Sequence, residues 1–383
     1  MKLSNSGLNT YTTCGESYRL QYVEGIDSEY SGSALFFGRA IDEALNFMLL
    51  NKDSKTALED SIKVFYTHWE HNIDRNSKKT YMPTNTYVLY SKYDFDSDVL
   101  EKSDWAELFK KDAKLFETRD KVQKLISEVG FENIKKEYQE IYNYSSWFSL
   151  NRKGPLLLKG YYEQLLPQIK RVIDVQKTFS LLDEEENALN GVVDFVCELH
   201  DGTIVVADNK TSSWGYEEDA VKTSQQLSLY VKVLNLLNED PNEQWKAGHI
   251  EHAAYFVMYK KLDVETTKVC SSCGHVGEGS HKTCDNMIET KMTGPGTGKP
   301  FRCGGEWTKT KDIKVKTEII VDKIEEVTQD MILENFDSVK NLIKNQIYTK
   351  NFNSCHGKFG KCKFYNKCWF GKDDNLKRTK GIK

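Results

Sequence analysis

Residues 191–213 read GVVDFVCELHDGTIVVADNKTSS, and the fold turns on how they are read. Two apolar, β-branched runs flank the turn-forming His200-Asp201-Gly202, so the stretch predicts a hairpin of neighbouring strands. Each arm carries an aspartate among residues suited to a core. Asp194 lies between valines and a phenylalanine, and Asp208-Asn209-Lys210 closes the second arm. An ionised carboxylate in a dry sheet is costly unless it is paired or binds a cation. Two carboxylates facing one cleft repel, so a divalent ion is their natural partner, and Mg²⁺ or Mn²⁺ suits oxygen ligands. On a strand Lys210 projects to the same face as Asp208, where its ammonium can orient a water or stabilise charge developing on a phosphate. Asn209 points away, leaving its carbonyl as a further candidate ligand. The set suits metal-assisted phosphodiester hydrolysis. A D-x-K tripeptide in isolation means little, since a solvent-facing acid beside a salt-bridging lysine accounts for it.

Working outward, RVIDVQKTFSLL at 171–182 predicts a strand before the hairpin, and 249–261 and 313–323 predict further strands. Helical spacing of apolar residues covers 34–50, 55–75, 104–127, 218–237 and 324–347, while 76–100 is rich in tyrosine, lysine and turn formers and reads as an irregular insert. Helices, a hairpin, a helix and more strands predict an α/β fold with a mixed central sheet flanked by helices. The expected divisions are a mainly helical part over 1–170, a core over 171–262, an inserted cysteine-bearing segment over 263–312, a core strand and helix over 313–350, and a C-terminal cysteine segment with a basic tail over 351–383.

A chain of 383 residues can bury a sizeable core. No apolar run is long enough to span a bilayer, and the N-terminus lacks the apolar core of a signal peptide, so the expected setting is the cytoplasm, away from membranes. A net charge of −4 decides nothing about nucleic acid, because a local basic groove can coexist with an acidic average. Nine cysteines in a reducing compartment read better as metal ligands than as disulfides.

Cys270 and Cys273 form a C-x2-C knuckle that Cys284 and Cys303 can complete as a tetrahedral Zn²⁺ site, with His275 and His281 as alternative ligands. The surrounding residues have too few apolar groups to fold unaided, so a zinc ribbon is expected. It would contact DNA or a partner, or serve stability alone. Cys197 reads as an ordinary buried thiol. Cys14 stands alone near one end, and Cys355, Cys362 and Cys368 cluster near the other. Four thiolates can hold an iron-sulfur cluster or Zn²⁺, either of which would clasp the two ends together. Lys358, Lys361, Lys363 and Lys367 alternate with Phe359, Phe364, Tyr365 and Trp369. They fit contacts to single-stranded DNA, or solvated lysines around aromatics packed on the metal centre.

Gly191-Val192-Val193-Asp194, then Asp208-Asn209-Lys210-Thr211, then a helix with Gln226-Leu227-Ser228-Leu229-Tyr230 together resemble the PD-(D/E)xK nuclease superfamily. The likeness is to its RecB-like branch, which includes the Cas4, exonuclease V and AddB-type iron-sulfur nucleases. The resemblance implies a restriction-endonuclease-like core, with Asp194 and Asp208 as Mg²⁺ or Mn²⁺ ligands and Lys210 as a catalytic residue. Gln226 and Tyr230 would position the water, the lysine or DNA. It also implies a [4Fe-4S] cluster on Cys14, Cys355, Cys362 and Cys368, although this chain has C-x6-C-x5-C where those families show C-x2-C-x5-C. A second departure lies at the family's G-x-x-x-H, where the chain has Gly38-Arg39-Ala40-Ile41-Asp42. Asp42, or the adjacent Glu43, then becomes the third metal ligand, and Gln176 stands where a glutamate is common. The implied function is a metal-dependent DNA nuclease, most simply an exonuclease on single-stranded or end-bearing DNA in recombination, repair or replication, working with a helicase or recombination protein. The alternative is a catalytically inactive DNA-binding scaffold for a helicase.

Overall fold

The computed structural model describes residues 2–28, 33–71, 124–125, 128–129, 150–182, 188–239, 247–277, 283–284, 286–288, 301–357, 360–374 and 376–379. The insert expected at 76–100 and nearly all of the helix expected at 104–127 lie outside these residues, as do His281, Lys358 and Phe359. The chain divides into two units, Met1–Met258 with Thr317–Lys383, and Tyr259–Lys316.

The first unit is α/β, and its mixed sheet is organised around the long strand β4 (Ala188–Leu199). The strand β3 (Ile169–Leu182) runs antiparallel to β4 along its whole length, from Ile169 opposite Leu199 to Leu182 opposite Ala188. On the other side β4 has two partners in succession. The three-residue β1 (Lys2–Ser4) pairs parallel with Ala188–Asn190, and β5 (Ile204–Ser212) pairs antiparallel with Phe195–Glu198. Residues 191–194 therefore lie between the two ladders. The order continues from β5 to β6 (His252–Cys270) and β10 (Trp307–Lys323), both of which also run into the second unit.

Helix α3 (Ser33–Leu50) packs on β3 and β5. Its buried residues, Phe36, Phe37, Ala40, Ile41, Ala44, Leu45 and Met48, recur at three- and four-residue steps and form one apolar stripe. Outside it lies α4 (Ala57–His71), joined through Phe37, Phe65 and Trp69, whose ring centroids stand 5.8–6.0 Å apart. Each such fully buried large side chain contributes about 2 kcal/mol by its removal from water. A Cβ at Gly154 would lie 2.2 Å from the Phe65 ring, so only glycine fits there. The helix expected at 218–237 begins later, as α5 (Gln225–Glu239). Residues 218–223 form turns, and the Ser224 hydroxyl caps the helix by accepting the Leu227 N–H at 3.2 Å. A further helix, α6 (Glu326–Lys344), packs against α5.

The two ends of the chain meet in this unit. Helix α1 (Asn5–Thr13) sends the Tyr11 hydroxyl to the Ile347 carbonyl, and the Glu16 N–H donates to the Thr349 carbonyl at 3.2 Å. A Cβ at Gly15 would lie 2.8 Å from the Thr349 nitrogen, so this close approach needs glycine. Strand β2 (Ile26–Ser28) pairs with β11 (Leu376–Arg378). Of the two readings open for Phe364 from sequence, its burial with Leu20 and Ile26, against which Cys362 and Cys368 pack, agrees with the packed aromatic and not with base stacking.

In the second unit β6 and β10 extend well beyond the strands expected at 249–261 and 313–323. Strand β7 (Val276–Gly277) pairs with β6, and β8 (Met287–Ile288) pairs with β9 (Phe301–Arg302). Gly274 and Gly304 adopt φ of 70° and 63°, which lets the turns at the cysteines double back. Among the described residues no helix is long and apolar enough to cross a membrane.

Candidate functional site

The hairpin register places the two aspartates. Phe195 faces Ala207 across the β4–β5 ladder, so Asp194 and Asp208 are opposite one step further on and share a sheet face. Their side chains hydrogen-bond to each other. Asp208 is only 2% exposed. Its Oδ2 is ion-paired with the Lys210 ammonium. Helix α3 brings Asp42 to the same place, close enough to Asp208 for the charges to interact.

The electrostatics record the crowding. Burial, and then the Asp208 charge, push the Asp42 carboxyl up to about 7. Asp194 is raised for the same two reasons, with Asp42 adding to the effect. Burial works against the Lys210 ammonium, but Asp208 more than offsets this and holds its pKa above the usual lysine value. When all are ionised, three carboxylates and one cation leave negative charge uncompensated. That donor set fits a hard divalent cation.

The helix residues named from sequence flank the same charges. Gln226 Nε2 donates to the Tyr230 hydroxyl at 3.1 Å, and Tyr230 interacts electrostatically with Asp194, Asp208 and Lys210. Burial pushes the Tyr230 phenol up to about 12, so at neutral pH it is a proton donor. Gln176 stands opposite Asp194 in the β3–β4 ladder at a left-handed φ of 56°, and its exposed amide donates to Asn46 of α3 at 3.4 Å. Glu43 is exposed on α3 and reinforces the shift at Asp42.

An aromatic group beside Lys210 was not read from sequence. The Lys210 ammonium lies 5.6 Å from the centre of the Tyr255 ring, the Tyr216 ring lies tilted against Tyr255 at 5.4 Å, and the Tyr255 hydroxyl donates to Ser224 at 2.6 Å. The exposed indole of Trp214 follows, with its backbone tied on both sides to the Ser212 hydroxyl. A tyrosine in a strand looks like ordinary packing, so only the fold could bring Tyr255 to the site.

The cysteines form two unlike groups. In the second unit the sulfurs of Cys270, Cys273, Cys284 and Cys303 all lie within 4.8 Å of one another, with Cys270–Cys303 at 3.5 Å and Cys273–Cys284 at 3.7 Å. A tetrahedron with metal–sulfur bonds of about 2.3 Å spaces its sulfurs by about 3.8 Å, so this set fits a single ion such as zinc. A Cβ at Gly305 would lie 2.7 Å from the Cys270 sulfur, so a glycine closes the cage. His275 is half-buried and gives its carbonyl to the Cys270 N–H.

In the first unit Cys14, Cys355, Cys362 and Cys368 are also near neighbours. Cys362 feels the charges of Cys14 and Cys355, and Cys368 those of Cys362 and Cys14. Among the described residues only the inserted four gather as tightly as 4.8 Å, so the terminal sulfurs are spread wider. Burial opposes ionisation of Cys14, but backbone N–H groups of Asn351, Ser17 and Glu16 donate to its sulfur and bring its pKa below the usual thiol value. The Phe364 N–H donates to the Cys362 sulfur at 3.5 Å. Cys197 is fully buried, and burial alone pushes its thiol up to about 12.

The sequence model of the PD-(D/E)XK nuclease superfamily matches residues 2–339 of the chain. No curated protein matches it.

Proposed function

The chain belongs to the PD-(D/E)XK nuclease superfamily, and from that premise we propose that it is a Mg²⁺- or Mn²⁺-dependent deoxyribonuclease of the RecB-like branch. The observation that carries this reading is the convergence of Asp42, Asp194 and Asp208 with Lys210 on one face of the sheet. Asp194 and Asp208 would hold the ion and Asp42 would complete the set in place of a histidine. A bound ion supplies Lewis acidity toward the phosphate and lowers the pKa of a water. Lys210 orients the attacking water and stabilises the charge that develops on the phosphate, while Gln226 and Tyr230 fix the position of Lys210 and of the substrate. The aspartate at position 42 lies against Asp208 and offers an oxygen ligand, which favours an active enzyme over an inactive scaffold.

Exonucleolytic action on single-stranded or end-bearing DNA, in recombination, repair or replication and beside a helicase or recombination protein, is the corresponding expectation. Residues 171–262 and 313–350 are assigned to the nuclease core and 263–312 to a zinc ribbon. The terminal cysteines are assigned to a [4Fe-4S] clasp. Incubation of 5′- and 3′-labelled single- and double-stranded DNA with Mg²⁺ or Mn²⁺ tests the activity. Shortening from an end is expected, and intact label under every divalent ion overturns the reading. Iron and zinc analysis of anaerobically purified protein tests the two cysteine assignments, with four irons and one zinc per chain expected.

A further inference from the structure

Between residues 350 and 372 the chain carries six lysines and no aspartate or glutamate, against an overall charge of −4. The same span leaves large aromatic side chains in solvent. Phe352 is 61% exposed, Trp369 50% and Phe370 61%. They form one group, since Phe352 and Trp369 stand 5.5 Å apart and Tyr365 lies 6.0 Å from both Trp369 and Phe370. The Lys361 ammonium sits 4.4 Å above the Tyr365 ring. The segment does have a core available, because Phe364 is buried against Leu20 and Ile26, yet these aromatics face outward. Of the carboxylates nearby, Asp27 pairs with Lys363, Asp373 with Lys367, and Glu16 and Glu24 with Arg19, while Asp374 is exposed beside Lys372. Lys350 and Lys372 are exposed.

We propose that this surface binds single-stranded nucleic acid, with unpaired bases stacked on Trp369, Phe352 and Phe370 and phosphates held by Lys350, Lys361 and Lys372. Flat aromatic faces can take a base only when it is not already stacked in a duplex, which selects single strands. A protein partner fits less well, because lysine is depleted at protein interfaces and an excess of lysine over carboxylates complements phosphate. The proposal deepens the nuclease reading by giving the substrate strand a second hold on the protein.

The test is fluorescence anisotropy of a labelled twenty-nucleotide oligothymidylate, and of a duplex of equal length, with the full-length protein in magnesium-free buffer. Trp369→Ala and, separately, Phe352→Ala should each weaken oligothymidylate binding about tenfold and leave duplex binding within about twofold. Lys350→Ala combined with Lys372→Ala should flatten the salt dependence of strand binding by roughly one unit of slope. Iron content and melting curve control for folding, and if Trp369→Ala disturbs them, Phe352→Ala, in a different segment, decides. Unchanged strand affinity in both aromatic variants, or an equal loss for strand and duplex, overturns the proposal. So does self-association of the wild type that Trp369→Ala abolishes, since a second copy would then own the surface. Cleavage is a separate readout. Protein that binds strands through this surface but cuts nothing keeps the inference and loses the nuclease reading, and protein that cuts while both variants bind normally does the reverse.

Discussion

The carboxylate site and the inserted cysteine site both gather groups that repel one another when ionised, and they handle the repulsion in opposite ways. The four cysteines hold their sulfurs within 4.8 Å, with a glycine filling the last space, so the donors are complete and closed. Asp42, Asp194 and Asp208 are looser and share one lysine, and Gln226, Tyr230 and Tyr255 line their surroundings. A closed tetrahedral set suits a structural ion, whereas an incomplete oxygen set leaves positions for water and substrate. Under the proposed function, donor completeness, more than donor number, would separate a centre that holds structure from one that does chemistry.

The largest test of this contrast is at the ribbon. Cys273→Ser, or a strong zinc chelator, should remove a contribution on the order of 10 kcal/mol to the folding of residues 259–316. Hydrogen exchange across 268–277 and 301–307 should then lose protection while the main melting transition stays in place. Retained protection without metal would break the comparison. Next in size is the carboxylate site, where Lys210→Ala or Asp208→Asn should slow DNA cleavage about a thousandfold, leaving the zinc content unchanged. Equal loss of zinc in these variants would mean that the two centres are not independent.

A third test uses pH. Asp42 and Asp194 have folded pKa values above those of an unfolded aspartate, so their contribution to stability is present at low pH and is lost as pH rises, for Asp42 through about 7. Magnesium- and manganese-free protein should therefore lose on the order of 2 kcal/mol between pH 5 and 8, and Mn²⁺ should restore it at pH 8. The ribbon should respond in the opposite sense, releasing its metal as acid protonates the thiolates. Calorimetry across pH with and without Mn²⁺ checks both signs, and an Mn²⁺ effect equal at pH 5 and pH 8 would remove the electrostatic account. The smallest expected effect is at Tyr230→Phe, which deletes the acceptor of the Gln226 amide and should lower cleavage about fivefold, near the value of one hydrogen bond.

How much of this was legible in the sequence depends on the range of the interactions. The hairpin and the shared face of Asp208 and Lys210 follow from a period of two, a local property. The inserted cysteines follow from spacing. By contrast, β1 is three residues long and exists only because Ala188–Asn190 offers an edge, which no local pattern announces. The start of α5 depended on choosing Ser224 as the cap in a run whose apolar spacing begins earlier. The left-handed φ at Gln176 falls where the β3–β4 ladder skips a pair, and glutamine gives no hint of it. Phe364 and Trp369 look alike in sequence, and only the packing of Leu20 and Ile26 puts one inside and leaves the other out.

The meeting of the chain ends also sets an order of events. Tyr11 and its carbonyl partner at Ile347 are 336 positions apart, among the most distant contacts a chain of this length can make. A ribosome exposes α1 long before residues 347–368 exist, so Cys14, Tyr11 and Tyr18 must wait with their partners unmade. The N-terminal turn therefore stays unfastened until Ile347 has been made, whereas Asp42, Asp194 and Asp208 all precede that point in the chain.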